Sequence, residues 1–208
     1  MLVIFQKGGP VMYPLLACSI IALTVIIERF LFWAREGVRR DQKLVDEVLE
    51  ICRRGEWNSV KDKVSGSKDF VIRVLVSGIL HREFSMTRAM EAAASDEIKR
   101  MRRFMGVLDT MITVAPLLGI FGTVIGIISS FELLGSAGIE HPQAVTAGIA
   151  QALITTATGL AIAILSVLPY NYFNSKVEEA ALAIEKYATS LEIVYEKLLS
   201  EEPSERCS

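Results

Sequence analysis

Four polar side chains lie within the apolar stretch GIAQALITTATGLAIAIL, which runs from Gly148 to Leu165. They are Gln151, Thr155, Thr156 and Thr158, and the stretch contains no charged residue. Hydroxyls and amides donate and accept hydrogen bonds but do not titrate near neutral pH. Several of them on one apolar helix indicate a polar lining for an ion or a partner helix, because polar groups within a membrane usually face a bundle interior. The alternative for each threonine is a hydrogen bond to its own helix backbone.

A second apolar stretch, from Thr110 to Phe131, carries small residues on one side. On a helical wheel of about 100° per residue, Pro116, Gly119, Thr123, Gly126 and Ser130 fall within an arc of about 80°. Small residues at this spacing let two helix backbones approach closely. Thr123 joins the four residues above in the predicted polar lining. The predicted helix-packing positions are Pro116, Gly119, Gly122, Gly126, Gly148 and Gly159.

The other reactive side chains do not form a catalytic pattern. The two histidines, His81 and His141, have no nucleophile, metal-like cluster or phosphate-binding loop beside them. The three cysteines are too scattered for a CxxC pair or a metal site. A net charge of −2 gives no indication of nucleic-acid binding. The sequence therefore predicts neither an enzyme nor a bound metal or cofactor.

Three apolar segments reach the roughly 20 residues that a bilayer-spanning helix needs. They predict an all-α integral membrane protein with three transmembrane helices extended by long inner helices. The first segment should remain as an anchor, since no cleavage-site pattern follows it. The predicted regions are an outer N-terminus with the first span (1–33), an inner helical region (34–106), the second span (107–134), a short outer loop (135–146), the third span (147–173) and an inner C-terminal helix with a tail (174–208).

The distribution of lysine and arginine predicts the topology. Region 34–106 is rich in both residues, whereas the short loop between the second and third spans has neither. Lysine and arginine collect on the cytoplasmic side of membrane proteins. The N-terminus is therefore expected outside, and region 34–106 and the C-terminus inside.

The inner region is expected to be helical throughout. Gly55 should end one helix, short helices should follow at about Trp57–Val64 and Phe70–Leu80, and Ser85 should cap a further one. From Met86 to Leu134 only Pro116 interrupts the pattern, which predicts a continuous rod of roughly 75 Å. The C-terminal helix should be amphipathic, with Leu182, Leu191, Val194 and Leu198 near one side. These helices are either a solvated stalk or a docking surface for neighbouring copies.

Three motifs together resemble the ExbB/TolQ/MotA family of bacterial motor stators. They are GPVMYPLL (Gly9–Leu16), APLLGIFGTVIGIISSF (Ala115–Phe131) and GIAQALITTATGL (Gly148–Leu160). Three spans fit the ExbB/TolQ branch better than the four-span flagellar stators. The resemblance implies a homopentameric ring in the bacterial inner membrane. The ring would surround single-span partners of the ExbD or TolR type, each carrying an intramembrane aspartate, and a TonB- or TolA-like protein would transmit work to the outer membrane.

The resemblance implies that the five residues of the polar lining border an ion pathway. Thr123 and Thr156 match threonines of the ring, whereas Gln151 stands where the family commonly has glutamate. A glutamate could carry a proton, and glutamine can only form hydrogen bonds. Either the glutamate is dispensable, or the coupled ion is Na⁺, which hydroxyl oxygens can bind, or the complex is a divergent member. A dispensable glutamate, with H⁺ as the ion, is the favoured interpretation. A non-conducting scaffold, in which polar faces serve only packing, is the alternative function.

Overall fold

The computed structural model describes residues 8–137 and 142–205, and every regular element within them is an α-helix. The helices are α1 (Met12–Arg39), α2 (Gln42–Arg53), α3 (Trp57–Lys63), α4 (Phe70–Leu80), α5 (Arg82–Arg102), α6 (Met105–Ala137) and α7 (Pro142–Glu205). Helical segments long and apolar enough to cross a membrane lie in α1, α6 and α7. The predicted fold class is therefore confirmed.

The helices divide between two compact units. The apolar unit comprises the described residues within Met1–Phe30 and Phe104–Phe173. The charged unit comprises those within Leu31–Arg103 and Asn174–Ser208. The five residues of the predicted polar lining all belong to the apolar unit.

The predicted rod from Met86 to Leu134 is wrong, because the helix is broken between α5 and α6. Arg103 has extended backbone angles (φ −53°, ψ 134°), and Phe104 is left-handed at φ 65°. Left-handed backbone is unfavourable for a bulky residue. Within the apolar unit, the Phe104 ring lies 5.8 Å from the guanidinium carbon of Arg29, a cation–π contact that favours this conformation. Neither glycine nor proline marks this break in the sequence.

The short helices of the charged unit follow from their apolar faces and caps. In α2, Val45, Val48, Leu49 and Cys52 are buried, and Gly55 beyond its end has φ 75°, as the predicted helix stop requires. The predicted helices at Trp57 and Phe70 are confirmed, and Ser85 interrupts the start of α5 with extended angles.

One expectation for the C-terminal helix was wrong. Leu182 is 66% exposed, and the buried positions of α7 in the charged unit are Val177, Ala180, Ile184, Tyr187 and Leu191. On a wheel of about 100° per residue the buried residues fall within an arc of about 80° that includes Leu191, whereas Leu182 lies about 180° from Leu191, on the opposite face. Only Leu191 is common to both sets.

A buried carboxylate joins the end of α1 to the start of α4. Asp69 is fully buried and accepts hydrogen bonds from Arg40 at 2.9 Å and from the backbone N–H groups of Asp41 and Val71 at 2.8 Å. The Arg40 guanidinium also lies over the rings of Phe70 and Tyr187. The carboxylate thus compensates the loss of its hydration with charged and neutral donors.

A second ionic cluster holds α1, α4 and α5 together within the charged unit. Glu36 of α1 is almost fully buried and accepts from Arg100 at 3.0 Å, with Arg73 at 3.7 Å. Arg73 also forms a two-pronged pair with Glu97 at 2.6 and 2.7 Å. This hydrogen bonding to Glu97 raises the pKa of Arg73. Charged side chains of both signs, which fitted a solvated stalk from the sequence alone, therefore partly serve to hold these helices together.

In the apolar unit, α1 packs against the other two long helices through small clusters. Val11, Met12 and Leu15 cluster with Ala115, with Ile162 against them. Large apolar side chains elsewhere on the three helices point outwards, for example Leu23, Phe121 and Leu165, which are 56–69% exposed. Outward-facing apolar surface on long helices is what a lipid environment favours.

Glycines let α6 and α7 approach to backbone contact. A Cβ added at Gly119 would lie 3.0 Å from Thr156 Cα, and one at Gly126 would lie 2.9 Å from Ala152 Cβ. One at Gly122 would lie 2.6 Å from Thr155 Oγ1. From the other side, Gly148 faces Ser130 Oγ and Gly159 faces the Ala115 carbonyl, next to Pro116 within α6. The predicted packing glycines therefore all lie at this contact.

Substituting Gly159 by alanine should destabilise the apolar unit. The added methyl would collide with the Ala115 carbonyl oxygen, a backbone atom that cannot move alone. We expect a cost of roughly 1–3 kcal/mol, seen as a lower midpoint of thermal unfolding in detergent. The matched control is Gly106→Ala in α6, where nothing lies within 4 Å. That change should be neutral or slightly stabilising, since alanine favours helix. Equal melting of the two variants would contradict the packing role.

The Cys52 thiol should resist alkylation in the folded protein. Burial raises its pKa from 9.0 to about 12. At pH 8 its thiolate fraction is then about a thousandfold below that of an unfolded thiol. Because the folded pKa is raised, the contribution of this thiol to stability is complete below pH 9 and is lost between pH 9 and about 12. Iodoacetamide labelling followed by peptide mapping, with and without denaturant, measures the contrast; similar rates would contradict the burial.

Candidate ion pathway

Two threonines meet where α6 and α7 are closest. Thr123 Oγ1 and Thr156 Oγ1 are in hydrogen-bond contact with one another. Thr156 Oγ1 also donates to the Gly119 carbonyl at 2.9 Å. Thr123 Oγ1 lies 3.1 Å from the same carbonyl and 3.4 Å from the Ala152 carbonyl. The contact between helices is thus a small polar cluster of two hydroxyls and two backbone carbonyls.

This cluster has more acceptors than protons. Each hydroxyl donates a single proton and offers two lone pairs. When Thr156 donates to the Gly119 carbonyl, its oxygen is free to accept from Thr123. When Thr156 instead donates to Thr123, the Thr123 hydroxyl donates to the Gly119 or Ala152 carbonyl. In both arrangements the two protons are used within the cluster and lone pairs remain as acceptors, so a hydroxyl presents a donor only when it rotates away from its internal partner.

Thr155 and Thr158 make local hydrogen bonds along α7. Thr155 is 1% exposed, donates to the Ala152 carbonyl at 2.7 Å and faces Gly122 of α6. Thr158 is half-buried and donates to the Ile154 carbonyl at 2.8 Å. Both bonds match the common arrangement for threonine in an apolar helix. Thr155 lies beside the Thr123–Thr156 pair, where Gly119 and Gly122 let α7 approach α6 closely. Thr158 lies two positions after Thr156 on α7.

Gln151 faces a different part of the molecule. Its half-buried amide lies against Gly9, just ahead of α1, so closely that a Cβ at Gly9 would overlap Gln151 Nε2. Gly9 has φ 71°, a conformation that glycine adopts without strain. The sequence analysis named Gly9 only within the motif Gly9–Leu16. The sequence signal for its close contact with Gln151 was the run Gly8-Gly9-Pro10. The side chains of Gln151 and Thr156 thus point to different neighbours, as expected for two positions about 140° apart on one helix.

Carboxylates of the apolar unit lie near the helix ends. Glu28 pairs with the buried Arg29, and Asp109 and Glu132 are exposed. From residue 110 to 131, and from 142 to 175, the sequence has no acidic, basic or histidine side chain. Within residues 8–137 and 142–205, no group of three or more histidine, cysteine, aspartate or glutamate side chains could hold a metal ion. His141 lies outside the described residues.

This arrangement can solvate a charge but cannot titrate. Hydroxyl and carbonyl dipoles stabilise a cation or a polar partner group in an apolar surrounding, where each is worth more than in water. No side chain in the middle of these helices can hold a proton between transfers. The same dipoles would also serve as hard oxygen donors for Na⁺.

Comparison with known proteins identifies the family. Residues 67–186 match the model of the MotA/TolQ/ExbB proton channel family. This range includes both α4 and α5 and the glycine-rich contact of α6 with α7.

Individual relatives extend the similarity to the whole chain. The ExbB-like 3 protein of Synechocystis sp. is 33% identical over 209 residues, covering 97% of each chain. The ExbB-like 1 protein of the same organism is 37% identical over 202 residues, covering 93% of this chain and 78% of the relative. The Tol-Pal system protein TolQ of Haemophilus influenzae is 42% identical over 90 residues, covering 43% of this chain and 40% of that protein.

Together with three helices long enough to cross a bilayer, these similarities define a multi-pass membrane protein of a channel family rather than an enzyme. The chain belongs to the MotA/TolQ/ExbB proton channel family.

Proposed function

We propose that this chain is the inner-membrane stator and channel subunit of an energy-transducing complex driven by the proton-motive force. In the proposed complex, a homopentameric ring surrounds single-span partners of the ExbD/TolR type. Each partner supplies an intramembrane aspartate, and a TonB/TolA-like protein carries the work to the outer membrane. Family membership supports this architecture.

The topology proposed for this subunit is an outer N-terminus and an inner C-terminus. The basic residues concentrate in region 34–106, and residues 135–146 have none. This asymmetry supports placing the charged unit in the cytoplasm.

The observation that carries the proposal is the Thr123–Thr156 contact in helices without a titratable middle. A proton pathway needs a group that binds and releases the proton, and this chain has none at that depth. The titrating group must then come from the partner. The two hydroxyls would solvate its charged and neutral forms, which brings its pKa into a working range.

The proposed pathway side chains are Thr123, Gln151, Thr155, Thr156 and Thr158. Among them the hydroxyl pair is assigned the main part, with H⁺ as the coupled ion. Na⁺ is the second candidate, favoured only by the same cluster of oxygen donors. A comparison of Na⁺-dependent and H⁺-dependent flux in reconstituted vesicles separates the two ions.

Removing either hydroxyl of the pair should depress ion flux without preventing assembly. Thr123→Ala and Thr156→Ala each leave the remaining hydroxyl with carbonyls alone. We expect a loss of roughly tenfold or more, since one hydrogen bond to a charged group is worth about 1.5–3 kcal/mol. The measurement is proton flux into vesicles that contain the subunit with its aspartate-bearing partner.

The matched control for that experiment is Thr113→Ala. Thr113 lies in α6 too, but it is exposed and bonds only its own helix at the Asp109 carbonyl, among the described contacts. This variant should conduct like the wild type. If all three variants keep full flux, the pair serves packing alone. The scaffold function predicts instead that wild-type vesicles conduct no better than vesicles without protein.

Gln151→Glu should change the pH profile of flux. A carboxyl group at this half-buried position could bind and release a proton, which the amide cannot do. Flux should therefore acquire a titration step that the wild type lacks. Gln151→Leu is the control that adds no titrating group. An unchanged profile in Gln151→Glu would remove this position from the ion pathway.

A further inference from the structure

Two surfaces of the charged unit have no part in the ion pathway. The first is a groove between α5 and α7 with a volume of about 360 Å³. Its lining runs from Thr87 to Ile98 on α5 and from Ala181 to Glu192 on α7. Each of these stretches is about 16 Å long, or three helical turns. The floor is apolar and consists of Met90, Ala94, Ile98, Ala181, Ile184 and Ala188.

Three carboxylates border this groove without ionic partners. Glu91, Glu185 and Glu192 make no ion pair or hydrogen bond to any other described residue. The lining contains no lysine or arginine. An apolar occupant alone would strip water from these carboxylates at a high cost. The groove therefore fits an occupant that brings both small or apolar side chains and positive charge.

The second surface is a basic stripe on α5. Arg88, Ala92, Ser95, Lys99 and Arg102 are all exposed and fall within an arc of about 80° of one helix face. Arg88 and Arg102 form no ion pair with other described residues. Lys99 pairs with Asp96 at 3.6 Å, with both side chains 74–81% exposed, a contact of little energetic value.

The stripe and the groove are complementary in shape and charge. The stripe from Arg88 to Arg102 covers 14 positions, about 21 Å along the helix, so it reaches along the whole groove of about 16 Å. Ala92 and Ser95 lie between them and are small enough to let a helix enter a groove floored by alanines. Three cations of the stripe would meet three carboxylates of the rim.

We propose that the groove of one copy receives the basic stripe of α5 from a second copy. The two surfaces lie about 100° apart on α5, so one copy cannot satisfy both with itself. A contact between different surfaces of identical chains is head-to-tail, and it generates a ring when the rotation closes. The inference rests on the homo-oligomer of the proposed function and names the surfaces that join its subunits.

Cysteine cross-linking tests this contact in the full-length protein. Two differently tagged copies are co-expressed with the partner in a Cys207→Ser background, since Cys18 and Cys52 are buried. One copy carries Ala92→Cys and the other Ala188→Cys. The control replaces Ala188→Cys with Lys186→Cys, an exposed position on α7 about 160° away. We expect an oxidant to join the first pair in membranes and leave the control pair mostly separate.

Charge exchange gives an independent readout in the same cross-linking strain. Reversing the stripe (R88E, K99E, R102E) or the rim (E91K, E185K, E192K) should each lower cross-linking roughly tenfold or more, because like charges then oppose each other. Combining all six changes restores opposite charges and should restore cross-linking. This recovery also shows that the six positions do not act through folding.

The mass of the purified complex, measured in parallel, separates the outcomes. An oligomer whose Ala92–Ala188 cross-linking equals the control overturns this contact and leaves the proposed ring intact. Cross-linking of Ala188→Cys to a different co-purifying polypeptide also overturns it, and assigns the groove to a basic helix of that protein. A monomeric mass for the wild type overturns both the contact and the ring.

Discussion

The close approach of α6 to α7 is the constraint on which the candidate pathway depends. At Gly119, Gly126 and Gly159 there is no room for a methyl group between the two backbones. In lipid, helices gain little from burying apolar surface against one another, so close packing and interhelical hydrogen bonds must supply the association energy. The glycines allow both, because they bring the Thr123 and Thr156 hydroxyls within reach of each other and of backbone carbonyls.

The charged unit is built on a different physical basis. Its buried carboxylates, Asp69 and Glu36, are each surrounded by arginine and, for Asp69, backbone donors. Such pairs do not add much stability over apolar packing, but breaking one is costly. They therefore fix which helix ends belong together within this unit. The glutamates around the α5–α7 groove are not buried in this way, and what suggests an occupant from outside the chain is their position around an apolar floor.

Sequence reasoning recovered the elements that have a strong periodic signal. The three apolar helices and the short helices at Trp57 and Phe70 follow from length, hydropathy and caps. It failed at Phe104, because a left-handed phenylalanine is stabilised by a contact with Arg29, which is 75 positions earlier in the sequence. It also grouped Leu182 with Leu191, although nine positions place these two side chains on opposite sides of a helix with 3.6 residues per turn.

For the candidate site, residue types could be chosen from the sequence but their partners could not. The density of hydroxyls pointed to Thr123 and Thr156. That Gln151 lies against Gly9, and that the carbonyls of Gly119 and Ala152 complete the cluster, depends on how the helices dock. Backbone acceptors carry no sequence signature, so only a structure places them.

The surplus of acceptors in the threonine cluster has a kinetic consequence. A hydroxyl changes its donor direction by rotation about one C–O bond, with every heavy atom in place, so its dipole can follow a passing charge on the picosecond-to-nanosecond scale of side-chain motion. Threonine does not titrate in the physiological range, so this response is independent of pH. A polar lining of this kind returns to its starting state after each ion has passed. The rate of the cycle is then set by the group that exchanges the proton.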